Sequence, residues 1–380
     1  MYYIHRRKTM HHYIHQTKNW PRFTWNFEKL ANQLAEVRHN QGKLLGTMQS
    51  VGFQLQAEAN LKVLTLDVLK SSEIEGEILN LDQVRSSIAR KLGMDVAGLV
   101  PADRSVEGVV EMMLDATQNY TNVLSEERLC NWHAALFPTG KSGMQKIVVG
   151  AWRRNEKTDP MQVVSGPMGK EKIHYQAPDA ELLPDEMAKF LQWFNEDDTN
   201  DAVVKAAIAH LWFVTIHPFD DGNGRIARAI ADMQLARSDN SRQRFYSMSA
   251  QIRKERNGYY DILENTQKND LDISEWLGWF LTCLDRSLSA THEILADVIL
   301  KAKFWDKYSE TSFNSRQQIM MNKLMDGFEG KLNSSKWAKI TKSSSDTALR
   351  DITDLLNRNI LIKENLGGRS TSYVLNVQNL

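Results

Sequence analysis

This chain has little cysteine, little proline, no net charge and no long apolar run. Cys130 and Cys283 are the only thiols among 380 residues, too few for a disulfide scaffold or a thiolate metal cluster. A reduced, cytoplasmic setting is therefore the expectation. Lys plus Arg and Asp plus Glu each total 47, so overall charge makes no case for a nucleic-acid or membrane partner. No uninterrupted apolar stretch approaches the roughly 20 residues that a membrane helix needs. The opening Met1-Tyr-Tyr-Ile-His-Arg-Arg-Lys carries charge without an apolar run behind it, so no secretory signal is expected. Eight prolines and recurrent 3.6-residue periodicity point to a mainly α protein, long enough for more than one domain. His11, His12 and His15 have no carboxylate or cysteine cluster beside them and read as structural or surface residues.

What the chain does have is the segment His217-Pro-Phe-Asp-Asp-Gly-Asn-Gly-Arg-Ile-Ala-Arg228. It follows an apolar stretch, Val203 to Ile216, whose spacing suits a buried helix. Pro218 cannot continue that helix, so the chain turns there. Gly222 and Gly224 let backbone amides converge on an anion. A helix beginning near Asn223 or Gly224 carries Arg225 and Arg228 three positions apart in its first turn. A loop feeding a helix N-terminus, with two arginines beside it, is an anion site. His217 is the candidate base, with an ordinary histidine pKa near neutrality. Asp221 offers oxygen ligands to Mg²⁺. The amides of Gly222 to Gly224, with Asn223, would form an anion hole, and Arg225 and Arg228 would clamp phosphates.

Every defined position of this segment matches the Fic family signature, His-x-Phe-x-Asp/Glu-Gly-Asn-Gly-Arg-x-x-Arg, at His217, Phe219, Asp221, Gly222, Asn223, Gly224, Arg225 and Arg228. The chain resembles that family. The resemblance implies a Fic-type helical bundle that transfers AMP from ATP to a Ser, Thr or Tyr hydroxyl of a protein. In that scheme His217 is the base, Asp221 the metal ligand, and Arg225 and Arg228 the phosphate holders. Phe219 is buried and shapes the loop.

A second motif lies upstream. Ser71-Ser-Glu-Ile-Glu75-Gly76 matches the family's inhibitory pattern, Ser/Thr-x-x-x-Glu-Gly/Asn, at Ser71, Glu75 and Gly76. It closes a helical stretch near 61–76. A carboxylate at Glu75 would pair with Arg228 and take the place of the γ-phosphate, leaving any bound ATP misaligned for in-line attack. Glu75 is thus both an inhibitory and a nucleotide-site residue, and the expected enzyme is autoinhibited in cis.

Residues 163–175 read as a β-hairpin turning at Gly166 to Gly169. It resembles the Fic flap, along which a target protein adds a strand by backbone pairing. About 30 residues past the signature, Arg253 to Tyr260 reads as helical. By the resemblance it faces the adenine and ribose, with Asn257 and Tyr260 in contact and Tyr259 behind. The tail, from Arg316 to Leu375, runs helix, short helix, amphipathic helix and β-hairpin, which is a winged-helix order. Arg350 and Arg369 would face DNA there. Asp346, Asp351 and Asp354 offset them, so DNA binding is not expected, and protein contact or homodimer support is.

Three parts follow: an N-terminal helical region over 1–100, a Fic catalytic domain over 101–300 and a winged-helix-like domain over 301–380. Three functions follow as well. An AMP-transferring enzyme comes first. An enzyme removing AMP at the same site, with Glu75 activating water, is the second, and a winged-helix DNA-binding regulator the third.

Overall fold

The computed structural model describes residues 13–50, 52–94, 98–167, 169–196, 199–325, 328, 330–364 and 371–376. His11, His12 and Arg369, singled out above, lie outside them. The protein is mainly helical. The order is α1 (Phe27–Ser50), α2 (Phe53–Ile74), α3 (Leu81–Lys91), α4 (Arg104–Gln118), α5 (Glu126–Leu136), β1 (Lys141–Ser142), β2 (Gln145–Lys146), β3 (Gln162–Ser165), β4 (Lys172–Gln176), α6 (Leu183–Glu196) and α7 (Ala202–Ile216). There follow α8 (Asn223–Asp239), α9 (Met248–Lys254), α10 (Arg256–Gln267), α11 (Ser274–Lys307), α12 (Ser315–Met325), α13 (Ser334–Thr341), α14 (Ser345–Asn357), β5 (Leu361–Glu364) and β6 (Ser372–Leu375). Among the described residues no helix is long and apolar enough to cross a membrane.

Local chemistry sets the helix starts. Asn26, Asn80, Ser125 and Asp201 each accept a backbone N–H of the following turn, as Asn26 Oδ1 does from Lys29 (3.2 Å) and Asp201 Oδ1 from Val203 (2.8 Å). One expected element divides. The stretch from Ser249 to Gln267 reads as one helix, yet it breaks at Glu255 (φ −108°, ψ 26°). The Glu255 carboxylate accepts from Arg286 at 2.8 Å, a contact distant in sequence that local propensity does not encode.

The chain divides into two compact units. The first comprises the described residues of Met1–Gly52, Asn60–Met94 and Leu99–Thr291. Its centre is α7, buried at every position from Val203 to Ile216 and packed against α8 and α6. α8 also packs on α4 and α5. Trp276 of α11 donates its indole N–H to the Ala207 carbonyl at 2.8 Å. β3 and β4 pair antiparallel, Val163 opposite Tyr175, with a bulge before Val164. Tyr175 roots this hairpin, buried and donating its hydroxyl to the Thr215 carbonyl at 2.8 Å. A smaller antiparallel pair, β1 with β2, was not expected from the sequence.

The second unit contains Phe53–Ala59 and His292–Leu380 together with Gly98. Its core gathers Phe304, Met320, Met321, Trp337, Ile352, Leu355 and Tyr373. Asn333 and Ser344 cap α13 and α14, and β5 pairs antiparallel with β6. Arg316 forks onto Asp351 at 2.7 and 3.0 Å. The exposed positions of α14 include Asp346, Leu349, Arg350, Thr353 and Asp354, a mixed surface without a basic cluster.

Candidate active site

α7 ends at His217 because the next residue is proline and because His217 itself turns left-handed (φ 52°, ψ 58°). Its N–H still closes the last helical turn on the Phe213 carbonyl at 3.0 Å. The imidazole then folds back, with Nδ1 donating to the Val214 carbonyl at 3.2 Å. That bond fixes the tautomer and leaves Nε2 as a bare acceptor. Burial pushes its pKa down to about 4, with the Arg153 cation adding to the depression against the Val214 bond and the Asp221 and Glu75 charges. This corrects the expectation of a pKa near neutrality, because desolvation by the surrounding fold disfavours the imidazolium. The His217 imidazole is thereby held neutral at physiological pH.

The loop after His217 is held from inside. Phe219 is buried and stacks on the His133 ring, with centroids 4.2 Å apart and planes within 6°. Its N–H donates to Asn223 Oδ1 (3.0 Å), while Asn223 Nδ2 donates to the Phe219 carbonyl (2.8 Å). The Asn223 side chain is therefore committed to the loop, and only its amide is left to face an anion. His133 donates from Nε2 to the Asp221 carbonyl (3.2 Å) and accepts the Gly150 N–H at Nδ1 (3.1 Å). Burial lowers its pKa to about 4 as well. Asp221 Oδ1 accepts the Gly222 N–H at 2.6 Å, and Oδ2 accepts the Ser142 hydroxyl from β1. Asp220 turns away and accepts the Val148 N–H at 2.8 Å.

Gly222 is left-handed (φ 79°) and starts α8. The first N–H groups of a helix have no partner inside it, so this end is a positive, donor-rich seat. Arg228, 2 % exposed, points back toward it. Its Nε donates to Ser71 Oγ (2.9 Å), and its Nη2 donates to the Ser71 carbonyl (2.8 Å) and to Glu75 Oε1 (2.8 Å). Nη1 is buried without a hydrogen-bond partner among the described residues. Glu75 caps α2, and Gly76 follows with φ 87°. A Cβ placed on Gly224 would lie 2.3 Å from Glu75 Oε1, so the carboxylate lies flat against the start of α8. Only glycine leaves that room.

Two further glutamates of the segment are engaged. Glu77 pairs with Arg225 at 2.7 Å, and Glu73 pairs with Arg253 at 3.0 Å. Arg225 also lies over the Phe137 ring, 5.1 Å from its centroid. Tyr260 donates its hydroxyl to Glu75 Oε2 (3.3 Å), and Tyr259 lies buried behind it, hydrogen-bonded to His210 Nε2 at 2.9 Å. Burial raises the Tyr260 pKa, with the Glu75 charge adding to it. Asn257 is exposed and lines a hollow of about 660 Å³ with Glu73, Gly76, Arg253 and Arg256. The structure thus brings together Ser71, Glu75, Gly76, Gly224, Arg228 and Tyr260, with Asn257 at their margin. Among the described residues no group of three or more His, Cys, Asp and Glu is placed to enclose a metal ion by itself.

Sequence reasoning passed over Arg153, Ser142, Glu77 and His133. Arg153 and Ser142 come from the glycine-rich stretch before the hairpin and carry no motif of their own.

Acid should loosen this region. Unfolded histidine titrates near about 6.5, whereas His133 and His217 are held down to about 4 and His210 to about 3, chiefly by burial. Folded-state values below the unfolded one mean that the stabilisation is present above about pH 6.5 and is lost as pH falls toward 4. The melting temperature should fall steadily from pH 7 to 5 when followed by circular dichroism. A flat profile over that interval would show that these rings are not buried as described.

Residues 13–94 match a domain of unknown function (DUF4172), and residues 123–235 match the Fic/DOC family. The protein adenylyltransferase Fic of Culex quinquefasciatus is 27% identical over 251 residues, 62% of this chain and 44% of that protein. The protein adenylyltransferase fic-1 of Caenorhabditis briggsae is 28% identical over 181 residues, 46% of this chain and 32% of that protein. This chain therefore spans less than half the length of these relatives. A solved Fic family protein from Desulfovibrio desulfuricans aligns with a TM-score of 0.49 and 19% identity, covering 91% of this chain and 95% of that one.

Proposed function

We propose that this chain, whose residues 123–235 match the Fic/DOC family, transfers AMP from ATP to a Ser, Thr or Tyr hydroxyl of a target protein, and that Glu75 restrains it in cis. The observation that carries the reading is the seat at the start of α8, where the Glu75 carboxylate lies against Gly224 and bonds Arg228 at 2.8 Å. A carboxylate there stands in for a phosphate.

The chemistry follows from the residues around that seat. With Glu75 displaced, one N–H of Arg228 Nη2 is released while the other stays on the Ser71 carbonyl, Nη1 has no hydrogen-bond partner among the described residues, and Arg225 stands one turn earlier. Both guanidiniums would hold the outer phosphates, with the α8 amides on the inner ones. His217 Nε2 takes the proton of the incoming hydroxyl. The hydroxyl oxygen forms a bond to the α-phosphorus, the bond from that phosphorus to the β-phosphate oxygen breaks, and pyrophosphate leaves. Asp221 fits Mg²⁺: its carboxylate is a hard oxygen donor, and each oxygen accepts one hydrogen bond, from the Gly222 N–H and the Ser142 hydroxyl, which leaves each a further lone pair for an ion. Bound there, the ion would supply charge neutralisation for the phosphates. Asn257 and Tyr260 would border the adenosine. The target would add a strand along the 163–175 hairpin, presenting its hydroxyl by backbone pairing. The tail over 301–380 is read as a winged-helix-like module for protein contact or homodimer support, and the setting as cytoplasmic.

The test is incubation with α-³²P-ATP and Mg²⁺, comparing the parent chain with Glu75→Gly and His217→Ala. Label that rises in the first and vanishes in the second supports the reading, and no label in any form sinks it. The Glu75 carboxylate also favours a second reading, removal of AMP, in which it would activate water at the same phosphate. Release of AMP from a pre-labelled protein by the parent chain but not by Glu75→Gly would select that direction.

Glu77 should matter less than Glu75. Its side chain is 39% exposed, and pairs of that kind contribute about 1 kcal/mol or less. Glu77→Ala should raise transfer by about fivefold at most in the same labelling assay. A gain equal to that of Glu75→Gly would mean that Arg225, not Arg228, is the restrained group.

A further inference from the structure

Arg153 has no place in the proposed chemistry, yet it is 1% exposed and touches the site's backbone at several points. Its Nε donates to the carbonyl of His217 at 2.8 Å. Its own backbone N–H donates to the carbonyl of Pro218 at 2.9 Å. Its Nη2 donates to the carbonyl of Pro178, just past the end of β4, at 2.5 Å. Its Nη1 donates to Asn155 Oδ1. Among the described residues no carboxylate pairs with it directly. The guanidinium spends its donors on neutral acceptors, two of them peptide carbonyls from the two sides of the site.

Those carbonyls matter in different ways. His217 and Pro218 sit where α7 stops, so their carbonyl groups have no helical partner and would be buried unpaired without Arg153. His217 also holds a left-handed backbone that a non-glycine residue adopts only when its surroundings impose it. Pro178 is the exit of the hairpin, since Ala177 still pairs with the Met161 carbonyl at 3.0 Å. One rigid fork therefore spans from the peptide of the base to the root of the hairpin.

We infer that Arg153 is a positioning residue that fixes the distance between the His217 imidazole and a hydroxyl presented along the 163–175 hairpin. The inference rests on the proposed transfer reaction. A planar guanidinium can make these bonds at once, and a lysine ammonium at the end of a flexible stem cannot hold the same fork. A misplacement of about 1 Å between reacting groups costs about a hundredfold in rate.

Arg153 acts on His217 through charge as well as through bonds. Burial lowers its own pKa only to about 10, so it is a cation at neutral pH. The charged groups bearing on His217 are Arg153 from the 150–155 segment, Asp221 from its own loop and Glu75 from the end of α2. Removing the first should raise the histidine's proton affinity, while a lysine should leave it nearly unchanged.

The experiment compares Arg153→Lys and Arg153→Gln in the full chain carrying Glu75→Gly, with two readouts. The first is kcat and KM for ATP in protein labelling. Both variants should lose about ten- to a hundredfold in kcat with KM within about twofold. The second is the His217 imidazole titration followed by NMR, which needs no activity. It should move upward in Arg153→Gln and stay near the parent value in Arg153→Lys. A kcat within twofold of the parent for Arg153→Lys, or a loss carried by KM or by a lowered melting temperature, would overturn the inference. If the Glu75→Gly parent transfers no label, the reaction reading fails, and the titration still decides for or against the tie to His217.

Discussion

Glu75→Gly should raise labelling from α-³²P-ATP by about a hundredfold over the parent chain. The size follows from what the carboxylate does. It takes one of the donors of Arg228 and lies against Gly224, where the start of α8 would receive a phosphate. Removing one preorganised donor from an oxyanion site typically costs about a hundred- to a thousandfold in rate, and restoring one should act in reverse. The same change has a cost in stability. Arg228 is buried, and a buried charge stripped of its partner costs about 3–5 kcal/mol. Ser71 limits that cost, because its hydroxyl and carbonyl still accept from Nε and Nη2. The variant should therefore melt lower than the parent without nucleotide and regain the difference with ATP and Mg²⁺, since ligand that binds only the folded state stabilises by mass action. The parent, with its seat filled, should gain much less. Differential scanning fluorimetry with and without ATP checks this. Equal gains in both chains would show that Glu75 and nucleotide do not share a site.

The second large effect is on His217. In the Glu75→Gly chain, His217→Ala should remove transfer to background, a loss of about a hundred- to ten-thousandfold for a general base. Alanine is not a clean probe, because residue 217 is left-handed at φ 52° and a Cβ without a polar group strains there by about 1–2 kcal/mol. His217→Asn is the better companion. Asparagine tolerates that backbone and takes no proton. Both variants should keep their affinity for ATP, since in the proposed reaction the imidazole would meet the incoming hydroxyl and Arg225 and Arg228 the outer phosphates. The pH profile gives a further check. With a pKa near 4, the imidazole loses competence only as pH falls through about 4. The acid limb of kcat/KM in the Glu75→Gly chain should lie well below 6. A limb near 6.5 would mean that another group is the base.

Much of the site was legible in the sequence because it is carried by contiguous residues. The turn at Pro218, the glycines at 222 and 224 and the arginines at 225 and 228 each announce a local backbone demand. So does the apolar run of α7, whose burial on every side gives His217 a fixed platform. The upstream motif was legible for the same reason, and α2 does end by bringing Ser71 and Glu75 onto Arg228. What could not be read was set by contacts distant in the chain. The fall in the His217 pKa is a property of the packed surroundings, not of histidine. The Asn223 side chain bonds the Phe219 peptide, although its place in a glycine loop suggested an anion ligand. Ser142 reaches Asp221 from a two-residue strand with no periodicity to detect, and Arg153 looks like any other arginine until the fold closes around it. The break at Glu255 belongs to the same class.

The closeness of Glu75 to Gly224 has a kinetic meaning. In the proposed reading that carboxylate is a tethered competitor for the phosphate, whose effective concentration is set by geometry and does not change with the amount of protein. Dilution cannot relieve it, and neither can dissociation of a partner unless that partner changes α2. What can relieve it is fraying of the last turn of α2, where Glu75, Gly76 and Glu77 donate their N–H groups back to Ser72 and Glu73 over 3.0–3.1 Å. The set point of the enzyme would then be the stability of one helical turn. Any event that loosens that turn, at whatever distance from the nucleotide, would act as an activator.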